Sequence, residues 1–478
     1  MSAYDRILYD SQPMAQTHPD RLATLAILFG MAPAPVSQCR VLEIGCGNGA
    51  NLIPMALTLQ GSSFTGIDLA RGAIETARAT AGELGAANCR FHHLDLMDLT
   101  PEFGEFDYIV AHGVYSWVPA AVRDKLLAVC RANLAPQGVA YVSYNTYPGC
   151  RLREITRDLM RYHTRAIEDP ESKLTSAREL IGVLAAAEPP AGALREELAA
   201  VQSREPYVLF HDDLAETNSP VYFHQFVEHA GCHGLQFLSE AQLHSMQESA
   251  LGPAAAEAVR TLAGGDRIQK QQYLDFLKCR RFRQTLLCRA DVRIEDPPDA
   301  SRAASLLAAC AAEPMGDGEG EQEFRAPGGA SVRTSLPLAK AALAYICRAW
   351  PRAVPFQELF DSAPGGELLQ ELLLRTYACG LLDLHASPSP FSTEVSERPR
   401  AFSLARFHAR SGSVIPTLKH STVRLEDPLA RRLVALLDGT RDRAALLHDL
   451  QPLSPSPLHS DDLERNLAKL ARMALLEA

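Results

Sequence analysis

Between residues 40 and 145, short apolar runs alternate with longer stretches whose apolar positions recur at helical spacing. Val41-Leu42-Glu43-Ile44 reads as a first strand, and Asn51 to Leu59 as the helix that follows it. Ser63 to Asp68 reads as a second strand and Ala70 to Leu84 as a second helix. Arg90 to His93 predicts a third strand and Phe106 to Ala111 a fourth. A helix over Ala120 to Leu134 then leads to a fifth strand, Val139 to Tyr144. Apolar strands separated by helices of this length predict an α/β fold whose mostly parallel sheet is covered on both faces.

The pattern changes on either side. Residues 1–30 read as a helical lead-in. Past residue 150 the periodicity turns helical, over Arg153 to Met160 and Ser176 to Val201, and strand patterning returns at Leu235 to Leu238 and Arg283 to Cys288. We therefore read residues 151–232 as a helical insertion, a lid or a dimerisation element, within a first domain of residues 1–292. The Gly-, Pro- and Glu-rich stretch Glu313 to Gly329 predicts a linker within residues 293–331. Residues 332–478 read as a separate, mainly α-helical C-terminal domain, with its clearest helices over Leu336 to Ala349 and Pro428 to Leu437. This pattern is compatible with a winged-helix-like regulatory or substrate unit, although no basic recognition helix stands out. A length of 478 residues agrees with two or three domains at about 100–200 residues each.

The turn after the first strand carries Glu43, Gly45, Gly47, Asn48 and Gly49. Glycine lets the chain turn sharply into a helix and lets the backbone approach a ligand. The second strand ends in Asp68-Leu69, where a carboxylate can accept hydrogen bonds from both hydroxyls of a ribose. The third ends near Asp95-Leu96, where a carboxylate can face an adenine amino group. Gly45, Gly47 and Ala50 also satisfy the dinucleotide fingerprint, so the glycines alone leave a nicotinamide cofactor open. Glu43 favours S-adenosyl-L-methionine: an acid beside the glycines suits a cationic sulfonium and ammonium ligand and would repel a pyrophosphate.

Composition narrows the partners. The net charge of −10 argues against a nucleic-acid binder, which carries a basic face. Lys278, Arg280, Arg281 and Arg283 form a short basic run, read as a solvated helix end. The eleven cysteines are scattered, with no CxxC pair, and read as reduced thiols. His224, His229, His233 and His244 have no carboxylate or cysteine set beside them in the sequence, so no metal is expected. Without a leader-like N-terminus or an apolar run of about 18 residues, the chain is expected to be cytoplasmic, with no membrane partner.

Several stretches resemble one bacterial family, the rickettsial-type protein-lysine methyltransferases, described as a methyltransferase domain followed by a methyltransferase regulatory region. They are residues 16–22, 41–49, Ala111 to Pro119, Tyr144 to Gly149, 209–212, 222–226 and Phe276 to Cys288. The resemblance covers roughly the first 60% of the chain. It implies a seven-stranded, Rossmann-like methyltransferase sheet, methylation of lysine side chains on protein, and a homodimer.

Ligands of open α/β sheets bind at the carboxyl ends of the strands. There the fourth strand is followed by His112, Tyr115 and Trp117, and the fifth by Asn145 and Tyr147. Tyr115, Trp117 and Tyr147 are expected to line an acceptor channel, with His112 or Asn145 orienting the amine. In the lead-in, Tyr9 or His18 is expected to close over the cofactor. Two other readings stay open: a methyltransferase of small molecules or peptides, with the insertion as a lid over an enclosed pocket, and a regulatory protein that binds the cofactor without turnover.

Overall fold

The computed structural model describes residues 11–187, 192–248, 251–316, 320–454 and 456–478. Tyr9 lies outside the described residues. The seven-stranded sheet contains β1 (Arg40–Ile44), β2 (Ser63–Asp68), β3 (Cys89–His93), β4 (Phe106–Ala111), β5 (Leu134–Asn145), β6 (Leu235–Glu240) and β7 (Phe282–Arg289), in the order β3-β2-β1-β4-β5-β7-β6. Every pairing is parallel except those of β7, which runs antiparallel to both β5 and β6. The strands predicted at 41–144 are present, the second and fourth to the residue.

Alternation along the strands divides the core between two faces. Val41, Tyr108, Val110, Val139 and Tyr141 point to one side, covered by α1 (Pro19–Leu28), α2 (Leu52–Thr58) and α3 (Arg71–Leu84). Leu42, Ile44, Ile109, Ala140 and Val142 point to the other, covered by α4 (Ala120–Asn133). Burial on both faces explains why these strands read as continuous apolar runs.

The insertion holds α5 (Cys150–His163), α6 (Pro170–Ala186), α7 (Gly192–Gln202) and α8 (Phe223–Cys232). Two helices, α6 and α7, stand where the periodicity predicted one. The sequence between them contains Pro189-Pro190, and proline removes a helix hydrogen bond and clashes with the preceding turn. Met160, Ile181 and Leu198 give α5–α7 a small core of their own. Helix α8 belongs instead to the sheet, through Phe226 and Ala230. Two further helices, α9 (Pro253–Ala263) and α10 (Arg267–Lys278), bridge β6 and β7.

The basic run that begins at the end of α10 is not a solvated helix end. Arg283 is completely buried on β7, its guanidinium held by both oxygens of Asp275 at 2.8 Å and by Glu240 at 2.6 Å, over the ring of Phe223. Lys278 donates to the carbonyls of Ser245 and Gln247, and burial pulls its pKa down to about 8. Arg281 pairs with the buried Glu197 of α7. The positive charges are absorbed by backbone carbonyls, by Asp275 of α10 itself, and by Glu240 and Glu197 from distant elements, which the local sequence does not reveal.

The expected linker is also structured. Residues Leu307–Ala309 (β8) form the middle strand of a small sheet, and Glu313–Met315 (β9), Gln322–Arg325 (β10) and Ser331–Thr334 (β11) form another, anchored by the buried Phe324. Glycine and proline mark tight turns as readily as linkers. The flanks of β8 are β12 (Val354–Pro355) and β13 (Asp383–His385). Helices α11 (Pro337–Ala349) and α12 (Glu367–Ala378) share one continuous apolar core with α1, so residues 332–386 are not a separate domain. Residues beyond about 391 do form their own core. They comprise α13 (Ser403–Ala409), a hairpin of β14 (Val414–Pro416) and β15 (Thr422–Arg424), α14 (Pro428–Leu436), α15 (Arg443–Leu450) and α16 (Ser460–Arg472). Among the described residues no helix is long and apolar enough to cross a membrane.

Helix α1 clamps the β13 segment onto the sheet domain. Asp20 accepts from the His385 ring at 2.7 Å and from the backbone N–H groups of Ala386 and Ser387. Burial works against its charge, but His385 and the Ser387 hydroxyl outweigh it and hold the carboxyl at about 2. Next to it, Arg21 donates to Asp383 at 2.7 Å and to the Tyr377 hydroxyl.

Replacing one member of a buried ion pair leaves the others uncompensated. Arg283→Met is expected to lower the unfolding free energy of the sheet domain by about 3–5 kcal/mol, read as a fall in the urea midpoint. A change below about 1 kcal/mol would show that Asp275 and Glu240 are not held by this guanidinium.

Candidate cofactor and acceptor site

The loop between β1 and α2 turns on three glycines with positive φ: Gly45 at 76°, Gly47 at 54° and Gly49 at 77°. A Cβ at Gly45 would meet the Val114 side chain at 2.7 Å, and one at Gly49 would meet the Phe91 ring at 2.7 Å. Larger residues are thus excluded both by strain and by space. Asp68, at the end of β2, braces this loop: one carboxylate oxygen accepts from Gly47 N–H and the other from Ala70 N–H, each at 2.8 Å. Asn48 caps the same turn, accepting from Ala50 N–H. Cys46 is buried in the turn, and burial raises its thiol pKa far from the range of a nucleophile.

Next to Asp68, Leu69 is 68% exposed. Asp95 accepts from Met97 N–H and opens a short turn in which Leu96 is buried. The three strand ends β1, β2 and β3 therefore present an acid, an acid with an exposed apolar neighbour, and a third acid along one edge of the sheet.

Glu43 is the unusual member. It is 4% exposed; one oxygen accepts from the Asn51 amide at 2.8 Å, and the other is buried with no partner among the described residues. Burial raises its pKa to about 8, and the Asn51 hydrogen bond only partly offsets this. An orphaned buried carboxylate oxygen beside a glycine cradle fits a cationic ligand. The residues present thus fit S-adenosylmethionine, with its sulfonium and ammonium, better than a dinucleotide phosphate.

Asn51, which the sequence reading passed over, connects this acid to the rest of the protein. Its amide also donates to the Thr17 hydroxyl at 2.9 Å, and its carbonyl oxygen accepts from Met14 N–H and from His420 Nε2 at 2.8 Å. His420 sits at the turn of the β14–β15 hairpin with φ 53° and is buried. Its ring lies 5.1 Å from that of His18. His18 itself caps α1, accepting from Asp20 N–H, and burial lowers its pKa to about 4. The lead-in thus lies against the glycine loop, with the Ser11 hydroxyl 3.4 Å from where a Gly47 Cβ would stand.

At the exits of β4 and β5 the expected acceptor residues divide. His112 is partly buried between Tyr141, whose hydroxyl lies 2.9 Å from its Nδ1, and Phe282, whose ring stands nearly perpendicular to it. Burial lowers its pKa to about 4, so it is neutral at physiological pH. Asn145 is buried; its backbone N–H donates to Ser116 and its side-chain amide to Asn218. The Ser116 bond ties the short turn Tyr115–Trp117 to the end of β5, and Trp117 there is half-buried. Tyr115 does not line a channel. It is 2% exposed, packed against Tyr144 and Phe226, with its hydroxyl on His229, because α8 covers this face of the sheet.

Tyr147 is only partly buried and opens onto an aromatic shelf with Tyr222 at 5.3 Å and, behind it, the half-exposed Phe276. Its hydroxyl donates to Glu154 on α5 at 2.5 Å; burial and this carboxylate raise its pKa to about 12. The Arg151 guanidinium lies 3.8 Å above the Tyr147 ring and also reaches Glu154. Glu154 lies on the second turn of α5, directly after the Tyr147 turn, whereas Tyr222 carries no signal in the sequence, because only the packing of α8 brings it beside Tyr147. A surface hollow of about 550 Å³ lies elsewhere, against α3 and β3 at Arg78, Gly85, Cys89 and Arg90, and touches none of the acceptor residues.

Comparison with known proteins agrees with this geometry. Residues 41–138 match the model of a methyltransferase domain, residues 205–289 that of a predicted methyltransferase regulatory domain, and residues 397–454 that of the C-terminal winged helix domain of PKMT. Two uncharacterized proteins of Rickettsia prowazekii are relatives. One is 38% identical over 61% of this chain, which spans only 53% of that relative's length. The other is 36% identical over 48% of this chain and is covered over 93% of its own length. The structure of PKMT2 from Rickettsia typhi, solved alone and in complex with AdoHcy, superposes with a TM-score of 0.86 over 98% of this chain and 99% of that one, at 26% identity. The chain therefore belongs to the family of these rickettsial proteins, class I methyltransferases that depend on S-adenosylmethionine.

Proposed function

We propose that this protein methylates lysine side chains on other proteins. The observation that carries the reading is the shelf at Tyr147: an aromatic face and a carboxylate, open to solvent, already engage a cationic side chain, Arg151. Cations are attracted to aromatic faces, and an exposed shelf admits a side chain presented by a protein more readily than an enclosed pocket does. The likeness to PKMT2, whose name denotes a protein-lysine methyltransferase, supports the same reading. The eleven free cysteines support placement in a reducing compartment such as the cytoplasm.

S-adenosylmethionine, when bound, supplies a methyl carbon activated by a sulfonium. Glu43, Asp68 and Asp95 would hold it at the three strand ends, with Gly45, Gly47, Asn48 and Gly49 shaping the cradle and Leu69 and Leu96 its apolar edge. His18 would close the cradle from the lead-in. The chain's remaining task is positioning, which supplies about 7–11 kcal/mol of barrier reduction when the geometry is held. A lysine arrives as an ammonium with a pKa of about 10.4 and must lose a proton before it attacks. The Tyr147–Tyr222 shelf accepts the cation by displacing Arg151, and once the substrate protein covers the shelf, desolvation favours the neutral amine. Glu154, with its side chain 27% exposed, takes the proton and passes it to water. Neutral His112 and the anchored Asn145 orient the amine, and Trp117 walls the approach.

Three outcomes are expected. Calorimetry should show micromolar binding of adenosylhomocysteine by the wild type, loss in Asp68→Ala and no binding of NAD; binding of NAD instead would overturn the cofactor assignment. The second concerns protons. Glu43 is mostly protonated below its pKa of about 8. A bound cation favours the carboxylate, so S-adenosylmethionine binding should release a proton between about pH 6 and 7.5, and affinity should rise with pH. His18 and His112, at about 4, are already neutral in that window. Calorimetry in buffers of different ionisation enthalpy should detect this release, and Glu43→Gln should abolish it. Third, Tyr147→Phe and Trp117→Ala should each lower labelled-methyl transfer to lysate protein by about tenfold or more, equivalent to about 1.4 kcal/mol, with little change in cofactor affinity. Equal losses in both would remove these residues from the acceptor site.

A further inference from the structure

We propose that Asp124, His229 and His233 form a binding site for a divalent transition-metal ion that staples α8 to α4. His229 lies on α8 and His233 at its C-cap, four residues apart, so both rings lie on one side of the helix. Asp124 comes from α4, which packs on the same face of the sheet. One oxygen of Asp124 lies 2.9 Å from His233 Nε2 and 3.5 Å from His229 Nε2, and all three donor atoms lie within 4.8 Å of one another. Ligand bonds of about 2.0–2.1 Å give a tetrahedron with edges of about 3.3 Å, which these two separations bracket. The third separation, between the two imidazole nitrogens, is within 4.8 Å, so modest side-chain rotations bring the three atoms onto one tetrahedral face, and Asp124 is exposed to solvent.

A second observation concerns the far side of one ligand. His229 Nδ1 lies 2.9 Å from the hydroxyl of the buried Tyr115. With Nδ1–H donating to that oxygen, the ring keeps its Nε2 lone pair directed at Asp124. Metal-binding imidazoles are oriented in this way by an outer partner. Two imidazoles and one carboxylate match zinc, nickel or cobalt ions better than calcium or magnesium, which prefer oxygen sets. The nearby Arg123 is engaged elsewhere, on the Val118 carbonyl and over the Tyr115 ring. The site also has a structural consequence: α8 falls within the matched regulatory region, whereas α4 belongs to the methyltransferase domain. A bound ion would fasten one to the other.

The test titrates the metal-stripped full-length protein with Zn2+ by calorimetry and with Co2+ by visible absorption. One equivalent is expected, with a Co2+ spectrum free of thiolate charge-transfer bands and a rise in Tm. His233→Ala and Asp124→Asn should each weaken binding at least tenfold while circular dichroism stays unchanged. Tyr115→Phe removes only the outer partner and should weaken binding by roughly tenfold. Cys232→Ser, which alters the exposed thiol beside the site, should leave binding intact. No binding by the wild type, unchanged binding in His233→Ala, or loss in Cys232→Ser would each overturn the proposal.

Discussion

A carboxylate buried at the end of a parallel strand must find donors or remain uncharged, and among the described residues Glu43 has one donor, the side-chain amide of Asn51. That amide is the hub of the molecule. It fixes Glu43 beneath the glycine loop, ties down the lead-in through Thr17 and Met14, and receives His420 from the C-terminal hairpin. Three parts of the chain, separated by as many as 369 residues, meet on one side chain. The cofactor cradle is therefore a junction, held from below by the sheet and from the side by the C-terminal unit.

This arrangement gives the hairpin β14–β15 a specific place. In a winged-helix unit a hairpin of this kind is a projecting element. Here its turn is enclosed against Asn51 and His18, and His420 adopts positive φ to get there. Non-glycine residues in that conformation are strained, and strain of this kind persists where surrounding contacts hold it. Helix α1 separately holds the segment that leads into this unit, with Asp20 and Arg21 bonded to residues between 377 and 387.

The acceptor side is built differently. Around Tyr147 the groups are open, aromatic and acidic, while around Tyr115 the same residue type is core. Both tyrosines follow strand ends, and sequence position cannot separate them. Helix α8 decides the matter by covering one and leaving the other bare. The same helix carries Tyr222 at its start to the shelf and His229 and His233 at its end toward Asp124.

By itself the sequence determined the sheet. Its central strands β1, β4 and β5 are buried on both faces, so their apolar runs are local signals, and the glycine turn from Glu43 to Gly49 is contiguous in the chain, with Asp68 and Asp95 at or just past the ends of the next two strands. The residues that hold a backbone close to a ligand must be neighbours, and so they are legible. Tertiary structure alone decided where distant polar groups meet. The pairing of Arg283 with Glu240, the reach of His420 to Asn51 and the placing of Tyr222 beside Tyr147 and of Asp124 beside His233 all depend on packing between elements far apart in the chain. Burial makes such groups find partners, but no local pattern records which partner it is, because the requirement is met by whichever donor the fold brings within about 3 Å.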